Sequence, residues 1–228
     1  TPNASLDEKY NLWVYCGTGR YYGFLDHNNR GIQNRFFGLK YPCYRGNCDN
    51  GLSRNDLHDS SGVLVYPDGT VEGTTVVSWH DLLDEMEQRQ GWYITFSAEG
   101  ERVLNKPNLL SGILTFTTYT PNPNPCSVEG TNTLYTLHYK TGTAGVKPLF
   151  IPSGEDVYGE SGGGSPPGNG NGEKPVEKAT PLEGGIAPSP VMHIGENKVI
   201  LTSGDSTMVT TRKPALQMRS GMESWREE

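Results

Sequence analysis

Between positions 91 and 142 the apolar residues fall in the rhythm of strands. In Ile113-Leu114-Thr115-Phe116-Thr117-Thr118-Tyr119-Thr120 nearly every side chain is β-branched or aromatic, the kinds that suit a pleated, half-buried surface. Ile113, Thr115, Thr117 and Tyr119 share one face, and Leu114, Phe116, Thr118 and Thr120 share the other. Neither face is polar enough for water, so an inner strand is predicted. A second strand is predicted at 133–140, where Leu134, Thr136, His138 and Lys140 alternate with Tyr135, Leu137 and Tyr139 before the turn Thr141-Gly142. Between them Pro121, Pro123 and Pro125 fix φ and can donate no ladder hydrogen bond, so the chain must leave the sheet there.

The same pattern predicts strands at 11–16, 34–40, 62–66, 191–194, 198–202 and 207–211, with Pro67-Asp68-Gly69-Thr70 as a turn. Residues 1–10 are polar and read as extended or frayed. Only one stretch, near 78–90, has helical spacing: Trp79, Leu82, Leu83 and Met86 stand at i, i+3, i+4 and i+7. Ser78 is placed to cap it, Asp81 occupies the capping-box position, and Gly91 reads as its stop. The chain is thus all-β, with about nine to eleven strands and one short amphipathic helix. It divides into a strand-rich part at 1–152 with a cysteine-containing loop, a Gly/Pro-rich low-complexity insert at 153–184, returning strands at 185–211 and a polar tail at 212–228. The insert is too poor in apolar residues to form a core of its own.

Composition narrows the function classes. With 228 residues, 29 Gly and 16 Pro the chain fits a loop-rich β protein. A net charge of -7 argues against a nucleic-acid partner, whose phosphates need clustered Lys and Arg. No apolar run reaches the length of a membrane-spanning helix. Two motifs invite enzymatic readings and lack the context these need. Gly17-Thr18-Gly19-Arg20 is followed by glycine only at Gly23, which breaks the dinucleotide-loop spacing, and no helix pattern follows; a tight strand exit is the plainer reading. Gly159-Glu160-Ser161-Gly162-Gly163 satisfies G-x-S-x-G, but it stands in the insert without a strand-turn-helix frame. His27, His58, His80, His138 and His193 offer no recognisable catalytic setting either.

Several pieces carry a family likeness by their order and spacing. Gly91-Trp92-Tyr93, Gly100-Glu101-Arg102-Val103, Phe116-Thr117-Thr118, the proline run at 121–126, Leu134-Tyr135-Thr136-Leu137 and Thr141-Gly142 form its centre. Val14-Tyr15-Cys16-Gly17-Thr18-Gly19-Arg20, Phe36-Phe37-Gly38, Gly185-Ile186-Ala187-Pro188-Ser189-Pro190-Val191 and Ser224-Trp225-Arg226-Glu227 extend it. Together they resemble the C-terminal β-propeller of the PilY family, the large adhesin and assembly proteins at the tips of bacterial type IV pili. The resemblance implies part of a quinoprotein-like β-propeller and a non-enzymatic role in pilus (fimbrium) biogenesis and surface attachment. It also implies an extracellular place at the pilus tip or outer surface, reached through the periplasm. The implied partners are the remaining propeller blades or N-terminal part of the same protein, the minor pilins of the tip complex and a host surface. A propeller uses roughly four to eight blades of four strands, so a chain with this strand count cannot close the ring alone. Beginning without Met, it reads as a processed form or a piece of a longer product.

In that oxidising setting the four cysteines suit disulfides, with three pairings open by count. Cys43 and Cys48, five apart in one loop, are expected to pair, leaving Cys16 and Cys126 as a second pair. The same region offers Asn47, Asp49, Asp56 and Asp59 as oxygen ligands for calcium. They match an EF-hand loop only in part and lack its distal Glu, so solvated turn residues are the preferred reading, and no cofactor is expected. The family's own acidic calcium loop has no counterpart here. Two other functions stay open at this point: a periplasmic quinoprotein dehydrogenase, which would hold its cofactor among carboxylates, Arg and Trp, and a carbohydrate-binding β-domain using Tyr21, Tyr22, Trp92 or Tyr119. Absorbance and mass analysis for a bound quinone separates the first from a structural role.

Overall fold

The computed structural model describes residues 1–23, 26, 31–41, 51–124, 130–147, 150–152, 173–182, 186–193, 198–202 and 209–214, with the backbone alone at 150–152, 191–193, 198–202 and 209–214. Three open sheets are built almost wholly from antiparallel neighbours. The first runs in the order β1 (Asn3–Leu6), β2 (Leu12–Gly17), β3 (Arg35–Lys40), β7 (Gly91–Thr95), with the two-residue β4 (His58–Asp59) parallel to β7 at its edge. The second has the order β13 (Ala179–Leu182), β11 (Thr131–His138), β10 (Ile113–Thr120), and then β8 (Arg102–Val103) and β9 (Asn108–Leu110), which share the far side of β10. The third has the order β12 (Phe150–Pro152), β16 (Val209–Pro214), β15 (Lys198–Thr202), β14 (Val191–His193). A small hairpin of β5 (Leu64–Val65) and β6 (Val71–Glu72) stands apart.

The first two sheets pack face to face, and the core lies between them. Trp13, Tyr15, Phe36, Trp92, Ile94 and Phe96 come from the first sheet and its extension; Leu114, Phe116, Tyr135 and Leu137 meet them from the second. Aromatic stacking sets the contact: Phe36 lies on Phe116 with ring centroids 3.9 Å apart, and Phe116 lies on Tyr135 at 5.1 Å. β10 is buried on both faces, as its doubly apolar sequence requires. Its register with β11 runs unbroken from Ile113 opposite His138 to Thr120 opposite Thr131.

The helix α1 (Trp79–Gln88) forms where the apolar spacing predicts it. Ser78 is the N-cap: its Oγ accepts the Asp81 N–H at 3.1 Å and donates to the Asp81 carboxylate at 2.6 Å. Leu82 and Met86 are its buried residues, Leu82 against Val63, Val65 and Val71 and Met86 in the main core. Ser78→Ala is expected to lower unfolding stability by about 1 kcal/mol, read as a shift in urea midpoint with unchanged slope. Gly91 does not stop the helix. Arg89 is the C-cap, in extended conformation, and Gly91 opens β7. A glycine is needed there because a Cβ would stand 2.2 Å from the Gly38 carbonyl oxygen of the neighbouring strand.

Other expectations change as well. The described residues hold sixteen strands, more than the sequence pattern shows, because β4, β6, β8, β9 and β12 are only two or three residues long and β1 and β13 fall in stretches read as frayed end and insert. The insert read as 153–184 ends earlier than that: Ala179–Leu182 is a strand paired with β11, and Lys178 Nζ donates to the carbonyls of Ser60 at 3.0 Å and Ser61 at 2.7 Å. Alternation cannot show this, since the strand sequence is only Ala-Thr-Pro-Leu. Residues 212–214, assigned to the tail, belong to β16, and the rest of the tail lies outside the described residues. The sheets are open, and no closed ring is formed by the described strands.

Candidate functional site

Among the described residues, the likeness-bearing pieces around Gly17, Phe36, Trp92, Glu101, Phe116, Tyr135 and Gly142 meet at the junction between the first two sheets. β2 ends at Gly17, and a Cβ there would stand 2.4 Å from Val103 Cγ2, so only glycine lets β8 approach. Gly19, at φ +134°, faces the Cβ of Arg102 in the same way. The loop that invited a phosphate reading is therefore a packing joint, closed by Val103 N–H donating to the Thr18 carbonyl at 3.1 Å. Thr18 Oγ1 donates to Asn34 Oδ1 at 3.1 Å, and Asn34 Nδ2 donates to the Glu101 carbonyl at 2.9 Å. This chain of bonds crosses from one sheet to the other.

Glu101 and Arg102 are both 3% exposed, and each is satisfied from within the chain. The Glu101 carboxylate accepts the Thr118 hydroxyl at 2.7 Å and the Tyr135 hydroxyl at 2.9 Å. Burial, with the Glu101 charge beside it, pushes the Tyr135 hydroxyl well above the ordinary range, so it stays a donor. Arg102 fans its guanidinium over main-chain carbonyls: Nε donates to Gly100, and Nη1 donates to Arg20 and Asp26, all at 2.8 Å. It also lies 5.6 Å over the Tyr21 ring. Asp26 completes the loop by accepting Arg20 Nε at 2.7 Å and the Tyr22 N–H at 2.8 Å.

At another part of the junction Trp92 is fully buried. A Cβ at Gly38 would stand 2.4 Å from its ring and one at Gly142, where φ is +66°, 2.2 Å, while its Nε1 donates to the Tyr139 carbonyl at 2.9 Å. The Gly91-Trp92 and Thr141-Gly142 pieces of the sequence thus meet as ring and cradle. Trp92 is excluded as a carbohydrate platform for that reason. Tyr119 is buried too and packs edge-on against Tyr21 at 5.4 Å; of the four aromatics considered, Tyr22 is the exposed one, at 92%.

Above Trp13 lies a small cleft of about 110 Å³ lined by Asp7, Lys40, Glu87 and Lys140 among others. Asp7 accepts the N–H groups of Lys9 and Asn11, the Asn11 side-chain amide and Trp13 Nε1, at 2.8 to 3.0 Å. Burial raises its pKa, and these four bonds outweigh it and hold the carboxyl below the ordinary range. Lys40 Nζ donates to the Met86 and Glu87 carbonyls at 2.8 and 2.9 Å, which lie in the last turn of α1. Lys9 pairs with Glu87 at 2.6 Å, and Glu8 accepts Lys140 Nζ and the Tyr139 hydroxyl. These polar groups latch β1 to the helix and to the end of β11.

The calcium candidates are partly placed. Asp56 closes a capping box with Ser53 on a single 3-10 turn, and Asp59 accepts from the Ser61 side chain within its own turn and from the Tyr93 side chain of the paired strand β7. Asn47 and Asp49 lie outside the described residues, and no group of three or more metal-binding side chains occurs among the described ones. Cys43, Cys48 and Cys126 likewise lie outside them. Cys16 is a free thiol on β2, its pKa raised by burial. The G-x-S-x-G serine, Ser161, is outside the described residues as well.

His138 shows what burial does to an imidazole among the described residues. Its ring stands 5.2 Å from Trp79 and edge-on to it, and burial, aided by the Lys140 charge, lowers its pKa from 6.5 to about 4. The folded state favours the neutral ring, so below pH 6.5 the unfolded chain takes up the proton first. Stability is therefore complete above pH 6.5 and declines progressively as pH falls towards about 4. Urea midpoints measured across that window should fall, and His138→Gln should flatten the dependence.

Comparison with known proteins places this architecture. No protein-family model and no curated protein matches the sequence. Among solved structures, the crystal structure of the Pseudomonas aeruginosa PilY1 C-terminal domain is similar, with a TM-score of 0.62 over 92% of this chain at 17% identity. The chain spans 43% of the length of that structure.

Proposed function

We propose that this chain, which has the fold of the PilY1 C-terminal domain, supplies blades to a β-propeller at the tip of a type IV pilus, outside the cytoplasm. There it supports pilus assembly and surface attachment and turns over no substrate. The observation that carries this reading is the repeated sheet. Each of the three larger sheets contains an antiparallel run four strands wide: β1-β2-β3-β7, β8/β9-β10-β11-β13 and β14-β15-β16-β12. Four-stranded antiparallel sheets packed by their faces are the unit of a propeller, and three are too few for a ring of roughly four to eight. The fold likeness supports the same reading, since the similar structure is longer than the part matched here. The sequence resemblance supplies the pilus setting, the minor pilins as partners and the host surface as a target.

The buried Glu101 and Arg102 then have a structural task, which is to fix one blade against the next. The extracellular setting suits a protein in which no helix among the described residues is long and apolar enough to cross a membrane. Deleting the coding region in the organism that carries it tests the role. Loss of surface pili and of attachment, restored by the intact gene, is the expected result; undiminished piliation and attachment would overturn it.

A further inference from the structure

We infer that the turn after β11, Thr141-Gly142, is an acid-released joint: the neutral rings of His58 and His138 fasten it, and proton uptake by the two opens it while β10 stays folded. The inference goes beyond the blade reading and stands on contacts within this chain. Both imidazoles reach the same residue. Ser60 and Thr141 are fully buried, and the Ser60 hydroxyl donates to the Thr141 carbonyl at 2.6 Å. The same hydroxyl oxygen lies 3.1 Å from His58 Nδ1. A hydroxyl has one hydrogen, so Ser60 has none left for the ring, and His58 carries its proton on Nδ1. His58 Nε2 then accepts the Thr74 hydroxyl at 3.2 Å. The hydroxyl of Thr141 is ordered in the same way. Thr143 Oγ1 donates to the Ala144 carbonyl at 2.9 Å, so it accepts from Thr141 Oγ1 at 2.8 Å, and Thr141 Oγ1 accepts from His138 Nδ1 at 3.3 Å. Two directed chains of bonds, each starting at an imidazole N–H, thus meet on Thr141.

A proton added to His58 goes to Nε2, where the Thr74 hydroxyl already donates, and its charge falls on a residue only 7% exposed. The charged groups that face this ring are engaged elsewhere. Glu85 of α1 pairs with Arg89 at 3.0 Å, and Asp59 accepts from the Ser61 and Tyr93 hydroxyls. On the far side of Ser60 the Lys178 ammonium already holds its carbonyl at 3.0 Å. Around His138, Glu8 pairs with Lys140, and the ring meets the Trp79 and Tyr139 rings. Neither imidazole therefore gains a free counterion on taking up a proton. Burial lowers both pKa values, that of His138 to about 4. The closed joint favours neutral rings, so an opened form with the ordinary value of 6.5 takes up protons first. The joint is complete above pH 6.5 and loses its hold as pH falls towards about 4. The ladder between β10 and β11 rests on main-chain bonds, which do not titrate in this range.

The test is hydrogen exchange read by mass spectrometry on the native assembled protein at about pH 7.5 and about pH 5, corrected for the intrinsic rate at each pH. Protection at 58–61, 73–75 and 141–144 should fall about tenfold or more at the lower pH, relative to 113–120 in β10. A variant carrying both His58→Gln and His138→Gln keeps polar groups at the two sites and removes both titrations. Its protection at the three segments should be the same at both pH values. Unchanged protection in the wild type, or an equal loss in β10, overturns the joint. So does a full acid response in the double variant. Where that variant fails to fold, the wild-type comparison decides alone.

Discussion

Trp92→Ala should be among the most destabilising single changes in this protein, lowering unfolding stability by roughly 3 to 5 kcal/mol. The ring is fully buried between sheets, enclosed by Gly38 and Gly142 where any side chain would collide with it. Those glycines cannot fill the space its removal leaves, so collapse is limited and the cavity persists. Loss of the indole N–H also orphans the Tyr139 carbonyl, which accepts it at 2.9 Å. Chemical unfolding monitored by circular dichroism gives the value directly. The reciprocal change, Gly142→Val, should destabilise through collision and through its φ of +66°, and it should not rescue Trp92→Ala fully, since the backbone strain remains.

Arg102→Met should be comparably severe, at about 3 kcal/mol or more. Methionine keeps much of the volume, so the loss isolates hydrogen bonding. The carbonyls of Gly100, Arg20 and Asp26 each lose a donor at 2.8 Å in a site that is 3% exposed at Arg102. An unsatisfied buried carbonyl costs roughly 1 to 3 kcal/mol, and the bonds to Gly100 and Asp26 are buried while that to Arg20 is partly so. Arg102→Lys should recover only part of the loss, because one ammonium cannot reproduce the spread of the guanidinium fork. The same unfolding measurement decides this, and a change within about 0.5 kcal/mol of wild type would show that the fan of bonds does not hold the loop.

The contrast between what sequence shows and what it hides follows from the length of the elements. β10 and the helix were legible because eight and ten residues give the period room to declare itself. β8 has two residues, Arg102 and Val103, and no two-residue pattern separates a strand from a turn. Its role emerges only when Gly17 and Gly19 are seen to make room for it. Gly91 illustrates a different failure. A glycine after a helix fits a stop, yet here the demand comes from Gly38 on another strand, 53 positions away in sequence, and local reasoning has no access to it. The Glu101 to Tyr135 bond is equally non-local; a buried Glu is visible beforehand only as one member of a short motif.

The half-buried outer face of the first sheet changes where incompleteness is expected to show. Strand counting points to open edges, with unpaired N–H and C=O groups. In the structure the first sheet carries apolar residues on both faces, fully buried on the inward one and half-buried on the other. An apolar face left in water favours association with another of its kind.

The central claim is that the chain works only when joined to further blades, and its state in solution alone tests this most directly. Light scattering across a concentration series, paired with unfolding curves, should show self-association or aggregation of the isolated chain, replaced by a soluble, compact complex when the missing blades are co-expressed. A monodisperse monomer that unfolds cooperatively by itself at all concentrations would contradict the shared propeller and identify a self-contained β-domain.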